Sequence, residues 1–345
     1  MDAFAQLSRL KGEGLVPLEQ DGGSLAVCPD MGARVFARLG GLSLHRIDLE
    51  VVADPSRPFN NFGGANLWPA PEGGKFGFNY RGNDWYVPPA INSEPFQIAS
   101  RSVEAVKLKK TTELTNRAGT TLQVHITREV RFVPAPPILQ EATPQRWLAF
   151  QTVDRFQVLN EAGTDQALLA AWTLDQFQAT DQTISFCAVR NPREAINFDF
   201  YAPPGDRMVV HEKGFTYATD GLRKGQIGIR KAANPSLIGF FDRSRHLLAL
   251  KINRTVSDGL LFNIADNEQP EGPYSAADSY SIFNSDPDMR AFELETIGPL
   301  QLRNGKLESS EVISLNAFAL FDDVADIDRF LAVNLGPLNE SQPNL

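Results

Sequence analysis

The chain has 345 residues, a formal charge of −9, 42% hydrophobic residues with 23 Phe among them, and two cysteines. Such an acidic surface repels phosphate backbones and anionic headgroups, so neither nucleic acid nor a membrane is an expected partner. The apolar content can fill one large core, and no Ser-, Gly- or Pro-rich linker divides the chain; residues 1–336 are therefore expected to form a single domain, followed by a tail over 337–345.

The N-terminus holds Arg9, Lys11 and Glu13 within a few residues, so it has no apolar signal core. As written the chain is expected to be soluble and cytoplasmic, or periplasmic or secreted if a leader was removed. A short helix is expected over Ala3–Leu10. Strands over Leu25–Pro29 and Arg34–Leu39, joined through Asp30-Met31-Gly32-Ala33, form a hairpin with apolar residues at every second position. Cys28 and Cys187 lie far apart in sequence and are expected to be buried thiols.

The next stretch, Asn60 to Phe96, reads as a shaped loop. Gly63-Gly64 and Gly73-Gly74 permit positive φ, while Pro69 and Pro71 argue against a helix or a central strand. Set into it are Trp68, Glu72, Lys75 and the amides Asn60, Asn61 and Asn66, followed by Phe76, Phe78, Tyr80, Trp85 and Tyr86. Flat apolar faces beside a few polar groups suit a polyhydroxylated ring, whose C–H faces lie on aromatics while its hydroxyls need directed partners. A structured loop packed over a sheet end is the plainer alternative.

Past the loop, Phe96–Leu108 and Thr121–Val133 read as long strands joined at the turn signal Asn116-Arg117-Ala118-Gly119. Arg128 falls on the apolar face of Thr121–Val133. There it must snorkel, bond a buried carboxylate or point into a cleft. Further strands are expected over 147–160, 168–177, 184–189, 207–210, 226–231, 237–242 and 246–253, then a polar, turn-like stretch over Ser279–Asp288. After a strand at 291–297 and a last one over Ser310–Phe321, a helix capped by Asp322 or Asp323 runs to about Leu335 and stops at Gly336-Pro337. Many strands with few helices predict an all-β antiparallel sandwich rather than a βαβ fold.

No phosphate-binding Gly loop, nucleophile elbow or His-Glu-x-x-His stands in the chain, and His45, His125, His211 and His246 lie singly. Neither a metal nor any other cofactor is expected.

Several stretches together carry a resemblance: Gly32-Ala33-Arg34-Val35, the Gly63-Gly64 to Trp68-Pro69-Ala70-Pro71-Glu72 segment, Trp172 to Phe177, Phe215 to Lys224, and Phe292 to Pro299. From about Leu15 to about Leu335 the chain resembles the galactose-mutarotase-like (aldose 1-epimerase-like) superfamily, in particular a bacterial branch of it. The resemblance implies a large β-supersandwich whose concave face binds carbohydrate. It also implies that Glu295, in the Leu294-Glu295-Thr296 context, is a general base acting on an anomeric or uronic-acid carbon. Where mutarotases carry the histidine that serves as acid, this chain has Ala170-Ala171-Trp172-Thr173-Leu174. One group cannot take a proton at one oxygen and deliver one at another. Glu72, Arg128 and Lys75 are the candidates for the missing partner, and Asn61, Asn66, Trp68, Lys75, Trp172, Asp175 and Lys224 for binding the sugar. A sugar-binding protein without catalysis is the alternative.

Overall fold

Alternate side chains fall on opposite faces of a strand, and the chain uses that period to build two large antiparallel sheets around a shared core. A computed structural model describes residues 2–54, 56, 61–199, 201–262 and 277–337. Asn60 and the tail beyond position 337 lie outside the described residues.

The first sheet has ten strands among the described residues. Its central run is Arg34–Leu39, Gly64–Ala70, Ala170–Gln178, Ala291–Ile297, Asp278–Asn284 and Gly225–Arg230. The second has eleven, centred on Leu247–Asn253, Lys306–Leu320, Arg146–Val158 and Thr121–Phe132. Phe177 and Phe292 of the first sheet meet Phe240 and Phe318 of the second, with the Phe177–Phe240 and Phe240–Phe292 centroids 4.7 and 4.9 Å apart. Each such ring contributes about 1.5–3 kcal/mol by leaving water.

Between the same two faces runs a polar seam. Lys251 Nζ lies 3.0 Å from Asp175 Oδ1, across the sheets, and Arg128 Nε lies 3.4 Å from Asp154 Oδ1. All four side chains are buried, and His45 stacks on Phe177 nearby. Burial, reinforced by Lys251 and Arg128, pushes the His45 imidazole down to about 4, so a neutral ring lies beside these two pairs.

Helices close the outer faces. Ala3–Lys11, capped by Asp2, lays Phe4 and Leu7 on Ala26, Cys28 and Phe36. Val324–Leu335, capped by Asp323, lays Ile327, Phe330 and Leu331 over Phe186 and Phe241 of the second sheet. Both cysteines are free and buried.

Three expectations need correction. Gly64–Ala70 is a buried central strand, despite Pro69, because its neighbour Arg34–Leu39 pairs with it only at Val35–Ala65. Beyond that point no ladder on that side asks Pro69 for an N–H. Phe96–Leu108 is broken into Gln97–Arg101 and Ala105–Thr115, since the Ser102 hydroxyl accepts from Ala105 N and turns the chain back. Ser279–Asp288 is not a turn: Asp278–Asn284 is a central strand, with Tyr280 and Ile282 in the core and its serines on the other face. The serines conceal the alternation because the face they occupy is itself polar.

Candidate active site

Register on the first sheet gathers one set of side chains on its outward face. Trp68 lies opposite Trp172, Leu174 opposite Glu295, and Gln176 opposite Glu293. Glu295 in turn lies opposite Ser281, Glu293 opposite Phe283, and Phe283 opposite Gln226. Facing pairs share a side, so five adjacent strands present these residues together. They floor a cavity of about 510 Å³.

Loops raise its walls. Arg46, Asp48 and Asn61 enter from one side, Glu72 and Trp85 from another, and Tyr201, Lys224 and the 285–289 segment complete the rim. The crossing of two of these segments depends on Gly63, whose φ is 83° and whose missing Cβ would sit 2.2 Å from Arg46 O. Only glycine tolerates both demands. Trp85, from the small hairpin Tyr80–Arg81/Asp84–Trp85, donates its indole N–H to Glu72 Oε1 at 2.9 Å.

The two indoles at the centre meet edge to face, with ring centroids 5.7 Å apart. Trp68 is 4% exposed and Trp172 3%, so each is a wall of the cavity and a packing residue at once. Beside them the carboxylates are held by neutral amides. Gln176 Nε2 donates to Glu293 Oε1 at 2.7 Å and is itself oriented by Arg46, whose NH1 donates to Gln176 Oε1 at 2.9 Å. Gln226 Nε2 donates to Ser281 Oγ at 2.9 Å and reaches Glu295 Oε2 at 3.3 Å.

Burial raises the Glu293 carboxyl to about 7, against the Gln176 hydrogen bond and the Arg46 charge, which lower it. Glu295 is raised well above the ordinary range, by burial first and then by the Glu293 and Glu72 carboxylates, with Trp172 and Ser281 partly offsetting them. Glu295 is therefore pushed toward its protonated form more strongly than an exposed carboxyl, and Glu293 is raised to about 7. The two side chains project from alternate positions of one strand, about 7 Å apart.

Of the residues picked out from sequence, Glu295, Glu72, Asn61, Trp68, Trp172 and Lys224 border the cavity. Four others do not. Arg128 and Asp175 project into the inter-sheet seam, where each meets an oppositely charged partner. Asn66 is buried with Nδ2 3.4 Å from Gly63 O, and Lys75 is exposed with Nζ over the Phe76 ring. For Arg128 the apolar face was read correctly, but that face is the core. Sequence reasoning passed over Arg46, Asp48, Tyr201, Gln226 and Phe283. Gln226 and Phe283 carry a weak signal, since each alternates with core residues along a strand. Arg46 and Asp48 carry none, because they reach the cavity only through the crossing at Gly63.

Among the described residues no group of three or more His, Cys, Asp or Glu is arranged to hold a metal ion, and no helix is long and apolar enough to cross a membrane. No curated protein sequence matches the chain.

Solved structures do match its fold. A candidate aldose 1-epimerase from Escherichia coli K12 superposes with a TM-score of 0.51 at 12% identity, covering 88% of this chain and 98% of that one. A galactose mutarotase-like protein from Lactobacillus casei ATCC 334 gives 0.51 at 11% identity, covering 89% and 99%. A galactose mutarotase related enzyme from Lactobacillus acidophilus gives 0.51 at 9%, covering 90% and 99%. The fold is thus the galactose-mutarotase-like sandwich that the sequence motifs led us to expect. The profile of a family of unknown function (DUF6786) matches residues 5–308, and the chain belongs to that family.

Proposed function

We propose that the cavity binds a carbohydrate ring and that Glu293 and Glu295 exchange protons with it, making the protein a carbohydrate-active enzyme of the epimerase kind. The observation that carries this reading is the convergence of three indoles, Trp68, Trp85 and Trp172, with the carboxyl groups of Glu72, Glu293 and Glu295 on one cavity of about 510 Å³. Indole faces take the C–H side of a pyranose, and carboxylates and amides take its hydroxyls. The galactose-mutarotase-like fold supports it only by analogy, since one fold serves many sites.

The chemistry follows from the unequal carboxyls. Opening a ring hemiacetal needs one proton removed from the anomeric hydroxyl and one delivered to the ring oxygen. The resemblance assigns Glu295 the role of base, yet it is the group that burial and the Glu293 and Glu72 carboxylates push toward its protonated form. In this reading Glu295 gives the proton and Glu293 takes one, so a carboxyl and a carboxylate stand where a histidine and a carboxylate would otherwise work. Reclosure on the other face returns both protons.

Anomer exchange of reducing sugars, followed by polarimetry or NMR, tests this. Glu295→Gln and Glu293→Gln should each lower turnover roughly a hundredfold while sugar affinity changes little. Fast interconversion surviving both substitutions would overturn the assignment. One feature favours the second reading, a sugar-binding protein without turnover: no histidine stands among the described lining residues. That reading predicts thermal stabilisation by sugar with no anomer exchange in the unmodified protein.

A further inference from the structure

A smaller pocket of about 160 Å³ adjoins the cavity, and its charge is opposite. Three cationic side chains, Arg207, Arg223 and Lys224, line it together with Tyr217, and no carboxylate does. The main cavity is bordered by Asp48, Glu72, Asp286, Asp288, Glu293 and Glu295 against only Arg46 and Lys224. Tyr201, Lys224 and Gln226 border both spaces, so the two are adjacent. Gln226 spans the boundary: its Nε2 is 3.3 Å from Glu295 Oε2.

The small pocket is built to receive charge rather than to bury it. Arg207 is anchored by Asp220, NH2 to Oδ1 at 2.5 Å, and by Ala218 O at 3.1 Å. Its Nε is buried and has no hydrogen-bond partner among the described residues. Arg223 and Lys224 are exposed, and among the described residues neither has a carboxylate within ion-pair distance. The Tyr217 hydroxyl points to the same place, 2.9 Å from where a side chain on Gly225 would begin. Burial pushes that phenol up to about 12; Arg207 and Arg223 act in the opposite direction, and Asp220 acts with the burial. At about 30 Å³ per water the pocket holds roughly five waters, room for a small oxyanion.

We propose that this pocket is an anion subsite, taking a carboxylate, phosphate or sulfate carried by the sugar whose ring occupies the main cavity. Guanidinium groups bind such oxyanions through paired, charge-assisted hydrogen bonds. The acidic main cavity adds selectivity, because it disfavours a negative group anywhere except at this end. The position of the ring rests on the carbohydrate reading above; the anion site does not.

Isothermal titration calorimetry at low salt tests the proposal with D-glucose and D-galactose, their uronates, their phosphate and sulfate esters at the primary hydroxyl, and inorganic phosphate alone. At least one class of anionic sugar should bind ten times or more tighter than its neutral parent, and the best class identifies the group. Arg223→Glu, an exposed change that should leave the melting temperature nearly unmoved, should bring that ratio below about threefold. Equal affinity for neutral and anionic sugars in the unmodified protein would overturn the subsite and leave the carbohydrate reading standing. If no sugar binds, the carbohydrate reading fails and inorganic phosphate decides the subsite. Phosphate binding that Arg223→Glu abolishes would sustain it; absent or Arg223-independent binding would overturn it.

Discussion

Glu293 and Glu295 differ from the exposed carboxylates of the chain in where their protons go when it unfolds. Glu293 is raised from 4.5 to about 7 in the folded protein, so between those values the folded state keeps a proton that the unfolded state has released. The stability linked to this group is present in full below about pH 4.5 and is lost as the pH rises through about 7. Glu295, raised for the same leading reason, adds to the loss in the same direction. Denaturant unfolding at pH 5 and pH 7.5 should therefore show the wild type losing stability relative to Glu293→Gln, whose amide resembles the protonated acid in shape and cannot ionise. An identical pH slope for the two proteins would mean that Glu293 is not held above its ordinary range. At this scale the sequence was informative about Glu295, through Leu294-Glu295-Thr296, and uninformative about its charge state. How far each carboxyl is raised depends on Glu72, Gln176, Arg46 and Ser281, contributed by four other segments.

At the scale of elements, local signals succeeded where a segment satisfies its own backbone. The C-terminal helix Val324–Leu335 begins where Asp323 Oδ1 accepts from Ala325 N at 2.9 Å and ends at Gly336, with φ 86°. Its first turn is exposed at Asp323, so the cap's contribution is separable from packing. Asp323→Ala should cost about 1 kcal/mol in unfolding free energy, and Asp323→Asn should recover most of it. Equal effects of the two substitutions would point to charge rather than to the capping hydrogen bond. Local signals failed at Gly64–Ala70 and Asp278–Asn284, where composition argues for loops. Proline and serine are acceptable there because of what the neighbouring strand does or does not pair with, and that is set by partners distant in sequence.

Over the whole molecule, the buried seam between the sheets constrains their relation more sharply than the aromatic core does. Lys251 and Asp175 come from opposite sheets and meet at 3.0 Å with almost no exposure. Burial lowers the Lys251 ammonium's pKa, and Asp175 is the largest influence sustaining its charge. Lys251→Met alone should cost about 3–5 kcal/mol, because it strands the Asp175 carboxylate in the core. Adding Asp175→Leu should restore much of that loss. Additive losses in the double variant would show that each residue is held by something other than the pair.

The sequence by itself determined the class of the fold. A two-residue hydrophobic period, turn residues at the right intervals and capped terminal helices follow from local backbone chemistry, and they dictate antiparallel layers wherever the segments come to rest. It also led to one distinctive patch of the cavity: the Trp68–Glu72 segment, whose aromatics and polar groups among glycines and prolines suit a site, and Glu295, which only the family resemblance singled out. Only the tertiary structure decided which face borders the cavity and which the core. Asp175 and Trp172 are three residues apart on one strand and project to opposite sides, one into an ion pair between sheets and the other into the cavity. Arg128 likewise belongs to the core face. Strand parity assigns residues to two sides; it is the packing of the second sheet against one of them that makes that side interior and leaves the other to enclose a cavity.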